Sequence, residues 1–184
     1  MKRRQFISLL GGVAGTWPLA ARAQQGERMR RVGVLMSRAA DDPEGQARID
    51  AFRQGLQELG WIEGRNVQID TRWPAFGFEE YRKYATELVA IAPDVILAAA
   101  TPSVLALQQV SRTVPIVFTI VVDPVGSGIV ASLARPGGNV TGFMQFEYTL
   151  SGKWLELLKQ IAPGVTRAGV FREPPIHRGS ASSP

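Results

Sequence analysis

The sequence predicts an α/β fold, an open parallel sheet with helices on both of its faces. Short apolar stretches of strand length alternate along the chain with stretches whose apolar residues recur at helical spacing. Turn and capping residues separate most of these stretches. The 184 residues are 45% hydrophobic and 20% charged, which is typical of a globular chain and does not indicate general disorder.

The first half of the chain contains two strand–helix pairs. Residues 31–36 form an apolar strand, and the acids and proline of residues 41–44 offer a cap and a first-turn proline to a helix that Gly60 ends. Residues 67–71 alternate as a second strand. The next helix has Tyr81 and Tyr84 on its apolar side, and Pro93 follows its end.

The second half continues the alternation. Residues 95–100 form a buried strand, and Thr101-Pro102 predicts a helix start with a capping hydroxyl and a proline at the first helical position. This helix runs to about Ser111. The remaining predicted elements are strands at Ile116–Val122, 140–143 and 167–171 and a helix at 150–161. Right-handed crossovers would join the parallel strands.

The opening residues have the organisation of a cleaved export signal. A basic start at residues 2–4 precedes an apolar segment at 6–20, and a small-x-small site at 21–23 predicts cleavage before Gln24. Arg3 and its neighbours resemble a twin-arginine signal, with a general secretory signal as the alternative. The chain has no cysteine for a disulfide or a lipid anchor. We therefore predict a periplasmic protein.

The net charge of +5 does not indicate nucleic-acid binding. Four basic residues and no acid lie within the first 23 residues, so the chain after them has a formal charge of +1, which is +5 less four. No basic stripe is evident in that remaining sequence. We predict no nucleic-acid partner.

One short motif suggests dinucleotide binding. Residues 126–131 read Gly-x-Gly-x-x-Ala, and Glu147 follows at roughly the spacing of a ribose-binding acid. However, Asp123 and Pro124 separate the glycines from the strand, and a carboxylate there would repel a pyrophosphate. Residues 135–138 also interrupt the helix that should follow. A ligand cleft of another kind is the interpretation we favour.

The sequence offers little for catalysis or metal binding. His177 is the only histidine and lies in a polar tail, so a Ser-His-Asp triad or a histidine-ligated metal site has no candidate set. No phosphate-binding Gly-x-x-x-x-Gly-Lys segment is present. We predict neither a cofactor nor a metal.

Candidate ligand-binding residues follow the strands, because open parallel sheets bind ligands at the carboxyl ends of their strands. They are Ser37, Thr101, Ser103, Asp123 and Thr141. A helix start at Thr101 favours an anion such as a carboxylate. Asp123 needs a partner such as an ammonium group. Together they predict a zwitterionic solute, although caps and turns could also explain these residues, and an exported enzyme using Asp123 with a Ser or Thr is the alternative.

Three segments resemble a known family. They are "ATPSVLALQQ", "VPIVFTIVVDPVGSGIVASLARPGGNVTGF" and "KWLELLKQIAPGVTRAGV", and they are similar to ABC transporter substrate-binding proteins related to the tryptophan-binding type. The resemblance implies a type I periplasmic-binding-protein fold with two lobes that close on a small solute for an inner-membrane permease. Some relatives bind aromatic amino acids. It also implies an N-terminal lobe at residues 28–146 and the start of a second lobe at 147–171.

The last residues depart from this family. Residues 172–184 have no apolar periodicity where the family would continue with another helix and strands, so we expect a disordered tail. A frameshift or early stop near Arg172 is our hypothesis, with a natural short variant as the alternative. A cleft with one wall would bind solute weakly, because small-ligand sites bury most of the ligand. The helix at 150–161 would expose Trp154 and Leu158 and promote association.

Overall fold

The computed structural model describes residues 28–75, 77–146 and 150–169. The predicted export signal, Glu147, His177 and the tail at 172–184 lie outside these residues. The elements are strands β1 (Arg30–Leu35), β2 (Val67–Arg72), β3 (Val95–Ala99), β4 (Ile116–Val122) and β5 (Val140–Phe146) and helices α1 (Pro43–Glu58), α2 (Phe78–Ala90), α3 (Ala100–Val110) and α4 (Ser151–Ile161).

The five strands form one parallel sheet in the order β2-β1-β3-β4-β5. Val32 in β1 is level with Ile69 in β2 and with Val95 in β3, so the apolar residues of the central strands lie side by side. The predicted α/β class with a parallel sheet is therefore confirmed.

Helix α1 begins and ends as its sequence predicts. The Asp42 carboxylate accepts the backbone N–H of Gly45 at 2.8 Å, and Pro43 occupies the first turn. At the other end Gly60 adopts φ +85° and donates its N–H to the Gln57 carbonyl. Its neighbour Trp61 donates to the Leu56 carbonyl, which completes a Schellman motif.

The helices divide between the two faces of the sheet. Helices α2 and α3 cover one face, here called the α2–α3 face, where Leu88 and Leu107 pack with Ile116. Helix α1 covers part of the opposite face, the α1 face, where Ile49 packs with Val34. Helices thus lie on both faces, as predicted, because the crossover to β2 runs opposite to the later crossovers.

The connection between β4 and β5 contains turns and no helix. The Pro124 carbonyl accepts the N–H groups of Ile129 and Val130, and both of these side chains join the core of the α2–α3 face. Without a helix after the glycines, the dinucleotide fingerprint lacks the N-terminus that would hold a pyrophosphate.

Strand β5 differs from its prediction. It extends to Phe146 rather than ending at Phe143, because it stays paired with β4 as far as Val122. Gly142 permits the close pairing, since a β-carbon there would lie 2.2 Å from the Phe118 carbonyl oxygen. The predicted strand at 167–171 is wrong as far as it is described, because residues 167–169 form no strand.

No helix in the described ranges is long and apolar enough to cross a membrane.

Candidate ligand site at the carboxyl edge of the sheet

The chain reverses its winding direction between β1 and β3. After β1 it moves outward to β2, and it then crosses to β3 on the other side of β1. The connections after these two strands therefore diverge, which opens a crevice at their carboxyl ends and is the usual ligand position in such sheets. Ser37, two residues beyond β1, and Thr101, in the first turn of α3, both lie at this crevice.

Ser103 joins the two sides of the crevice. Its side chain is fully buried, and its hydroxyl donates to the Met36 carbonyl oxygen at 3.1 Å. The bond ties the first turn of α3 to the end of β1. The hydroxyl proton therefore already has an acceptor within the protein. Ser103 holds the two sides of the crevice together rather than presenting a hydrogen-bond donor to solvent.

Helix α3 begins two residues earlier than predicted. Ala99 occupies the N-cap position, Ala100 is already helical, and no side chain caps the helix. The prediction that Thr101 is the cap is therefore wrong. Ala100 has φ +65°, a region that residues other than glycine rarely adopt. The strained entry of the chain into α3 leaves its first N–H groups facing the carboxyl edge without a side-chain partner.

Asp123 ends β4 in a tight turn. Its backbone has φ +45°, and its carboxylate accepts the N–H of Gly126 at 3.0 Å. A β-carbon at Gly126 would meet the nearer oxygen of this carboxylate, so a larger residue there would require the Asp123 side chain to move. The glycine of the Asp-Pro-Val-Gly segment thus donates its N–H to the carboxylate of its own turn.

The charge of Asp123 is not neutralised in the part of the chain that is described. Its half-buried carboxylate has a backbone N–H partner and no ion pair there. By contrast, Arg38 after β1 pairs with Asp42 at 3.1 Å, and Arg72 at the end of β2 pairs with Glu87 at 2.8 Å. Asp123 therefore gives this edge a negative charge that a cationic group of a ligand can meet.

Asp42 is held ionised by its surroundings. The backbone N–H of Gly45 and, beside it, the Arg38 guanidinium keep the pKa of the Asp42 carboxyl below its ordinary value. Arg38 also pairs with Glu44, so the β1–α1 connection is bound together at the rim of the crevice.

The predicted position of Thr141 is wrong. Thr141 is the second residue of β5 and is level with Val117, near the amino ends of the strands. Asp123 lies six residues further along β4, or about 20 Å at 3.3 Å per residue. The error came from expecting a short fifth strand, which would have placed Thr141 near the strand end. The structure brings Ser37, Thr101, Ser103 and Asp123 to one edge and leaves Thr141 near the other.

Residues 34–180 match the family model described as ABC transporter substrate binding protein. The chain belongs to this family. Its members are solute-binding proteins rather than enzymes. The parallel α/β fold agrees with that membership, and the alternative of an exported enzyme receives no support from it.

A curated relative is the tyrosine-binding protein of Clostridioides difficile, which is 29% identical over 93% of this chain and 52% of its own length. Among solved structures, a conserved domain protein from Vibrio cholerae is 33% identical, with a TM-score of 0.64 over 75% of this chain and 45% of its own. An ABC domain from Streptococcus pneumoniae in complex with L-Trp is 27% identical, with a TM-score of 0.61 over 71% of this chain and 43% of its own.

A third structure is the ligand-free, open form of a substrate-binding protein with adhesive properties from Clostridium difficile. It is 31% identical, with a TM-score of 0.62 over 74% of this chain and 45% of its own. The chain thus spans about half the length of the relatives it matches.

Trp73 was not among the predicted site residues, and it follows β2 at the same edge. Its half-buried ring lies against the start of α1, where a β-carbon on Gly45 would come within 3.1 Å of the ring atom Cζ3. An aromatic residue immediately after a predicted strand was the available signal. The Trp73 ring provides apolar surface beside the crevice.

Proposed function

We propose that this chain is the solute-binding component of an ABC importer and that it binds a zwitterionic amino acid at the carboxyl edge of its sheet. The observation that carries the proposal is the un-neutralised Asp123 carboxylate on the same edge as the uncapped N-terminus of α3. The carboxylate would accept the ammonium group, and the N–H groups of α3, with the Thr101 and Ser37 hydroxyls, would hold the carboxylate.

The spacing of these groups suits an amino acid. Ala99 is level with Thr119, and Asp123 follows four residues later, so it lies about 13 Å beyond the start of α3 at 3.3 Å per residue. Two hydrogen bonds of about 2.9 Å and the roughly 3 Å between the charged groups of an amino acid span most of this distance.

An aromatic side chain on the solute is the variant we favour. The curated relative is named for tyrosine binding, and one similar structure holds L-Trp. Trp73 supplies a ring at the same edge, and offset or edge-to-face aromatic pairs contribute about 0.5–1.5 kcal/mol beyond the buried area.

Isothermal titration with a panel of amino acids tests this proposal. Asp123→Asn keeps an oxygen that can accept the Gly126 N–H but removes the charge, so we expect affinity to fall about tenfold or more, as for loss of a charged hydrogen bond. Asp50→Ala, at an exposed position on α1, is the control and should bind like the wild type. Wild-type affinity in Asp123→Asn would contradict the role of Asp123.

The described edge provides one wall of such a site. We therefore propose that the 184-residue chain binds its solute weakly on its own, because sites for small molecules bury most of the ligand surface between walls. Micromolar binding of an amino acid by a monodisperse monomer of this chain would contradict this expectation. A permease of the inner membrane is the partner that the proposed function requires.

We also propose that the chain is exported to the periplasm by a cleaved twin-arginine signal. Residues 1–30 fused to a reporter should direct its export, and Arg3→Lys combined with Arg4→Lys should block it. Continued export of the double variant would assign the signal to the general secretory route, and a reporter retained in the cytoplasm with the wild-type segment would refute export.

A further inference from the structure

The first turn of α1 contains a buried glycine that faces Trp73. Glycine is normally unfavourable within a helix, because it gains backbone freedom on unfolding. Here the available space explains it, since a β-carbon on Gly45 would lie 3.1 Å from Cζ3 of the Trp73 ring and 3.4 Å from the Arg38 β-carbon. For Gly55, the other glycine of α1, no atom beyond the adjoining residues of the helix lies within 4 Å of the β-carbon position. Of the two glycines in this helix, only Gly45 is in close contact with the ligand edge.

The backbone on both sides of this contact is held in place. The Asp42 carboxylate accepts the Gly45 N–H at 2.8 Å, which fixes the first turn of α1. On the other side, the Arg72 carbonyl accepts the backbone N–H of the residue after β1 at 3.0 Å, and Pro74 is fully buried. A side chain at position 45 is therefore accommodated most easily by rotation of the Trp73 ring, because the χ2 torsion of tryptophan is broad whereas both backbones are hydrogen-bonded.

The Trp73 ring is only partly enclosed by the protein. It is half-buried at the margin of the apolar cluster on the α1 face. Its indole N–H lies on the opposite side of the ring from Cζ3, and within the described part of the chain this N–H has no hydrogen-bond partner. The side of the ring that faces away from α1 is therefore available to a solute at the ligand edge.

We propose that Gly45 is a specificity-determining residue, which sets the position of the Trp73 ring and thereby the preference of the site for aromatic solutes. This inference rests on the proposed function, since it concerns the same site. Aromatic pairs need ring centroids about 4.5–7 Å apart in an offset or edge-to-face arrangement. A side chain at position 45 would displace the ring from such an arrangement while leaving the Asp123 carboxylate, at the end of β4, unchanged. It should therefore weaken the binding of aromatic amino acids more than that of aliphatic ones.

Fluorine NMR tests the position of the ring without any solute. In protein made with fluorinated tryptophan, the Trp73 signal is identified by its absence in Trp73→Phe. This signal should shift in Gly45→Ala and shift further in Gly45→Val, whereas the Trp154 signal should not move. Gly55→Ala is the matched control, because its added methyl group meets open space, and it should leave the Trp73 signal unchanged. An unchanged Trp73 signal in both Gly45 variants would overturn the inference.

An NMR titration with L-phenylalanine and L-leucine tests the specificity, since it also measures weak binding. We expect the wild type to prefer phenylalanine and Gly45→Ala to reduce this preference about two- to tenfold, the range for loss of an aromatic pair. Trp73→Leu should reduce it equally, adding Gly45→Ala to Trp73→Leu should cause no further change, and Gly55→Ala should bind like the wild type. An unchanged preference in Gly45→Ala, no preference in the wild type, or a further change in the double variant would overturn this inference alone. Failure of the wild type to bind either amino acid would refute the proposed function, and this inference with it.

Discussion

Replacing Ser103 by alanine tests the link that holds the ligand edge together. The substitution removes one hydroxyl and leaves the backbone of α3 intact, and the higher helix propensity of alanine offsets only about 0.5 kcal/mol of the expected loss. In the wild type this hydroxyl donates to the Met36 carbonyl at 3.1 Å, and both residues are buried. The substitution therefore removes one buried hydrogen bond between the first turn of α3 and the end of β1.

The structure sets the size of the expected effect. A neutral hydrogen bond contributes about 0.5–1.5 kcal/mol net, and leaving its buried acceptor without a donor costs about 1–3 kcal/mol. Ser103 is fully buried, so water cannot readily replace the lost donor. We expect the free energy of unfolding to fall by about 1–2 kcal/mol.

Urea denaturation of the two proteins measures this difference. With an m-value of about 2 kcal/mol/M, the midpoint should fall by about 0.5–1 M at an unchanged m-value. Ser111→Ala, at the other end of α3, is the matched control. Its hydroxyl accepts the N–H groups of Thr113 and Val114 at longer distances of 3.3 and 3.2 Å, so we expect a smaller fall. An unchanged midpoint in Ser103→Ala would refute the proposed link.

Three further predictions concern the scaffold. Gly142→Ala should destabilise the protein by about 3 kcal/mol or more, measured by thermal unfolding, because its β-carbon would overlap the Phe118 carbonyl. Gly60→Ala should lower the free energy of unfolding by only about 1 kcal/mol in the same assay, since its φ of +85° is unfavourable for alanine but the surrounding space is open. A decrease equal to that of Gly142→Ala would refute the distinction between the two glycines. The backbone N–H of Arg31 and, to a smaller extent, nearby guanidinium groups lower the pKa of the Asp94 carboxyl below 3.8. The ionised carboxylate therefore stabilises the fold above about pH 4, and this stabilisation is lost as the pH falls further. Urea midpoints between pH 5 and pH 2 should therefore fall more steeply for the wild type than for Asp94→Asn.

Much of the fold was predictable because its signals are local. The cap at Asp42, the proline beside it and the stop at Gly60 act through atoms within a few residues, and the structure confirms all three. The buried strands at the centre of the sheet were also predicted nearly to the residue, since continuous apolar runs bounded by turns are typical of parallel strands.

The site was predictable only in part. The sequence places Asp123 after a strand, and the rule for parallel sheets then brings it to the ligand edge together with Ser37. The predictions for Thr101 as a helix cap and for Thr141 at a strand end were less accurate. The start of α3 depends on the strained backbone at Ala100, and the position of Thr141 depends on how far β5 pairs with β4.

The sequence by itself determined the order of the elements, the caps of α1 and the carboxylate at the end of β4, because these depend on the spacing and chemistry of neighbouring residues. Only the tertiary structure decided which polar groups already have hydrogen-bond partners within the protein and at which edge of the sheet each residue lies. The Ser103 hydroxyl donates to a residue 67 positions away, and the β4–β5 register moves Thr141 to the far edge. Contacts between residues distant in the chain depend on packing and pairing, which local spacing does not encode.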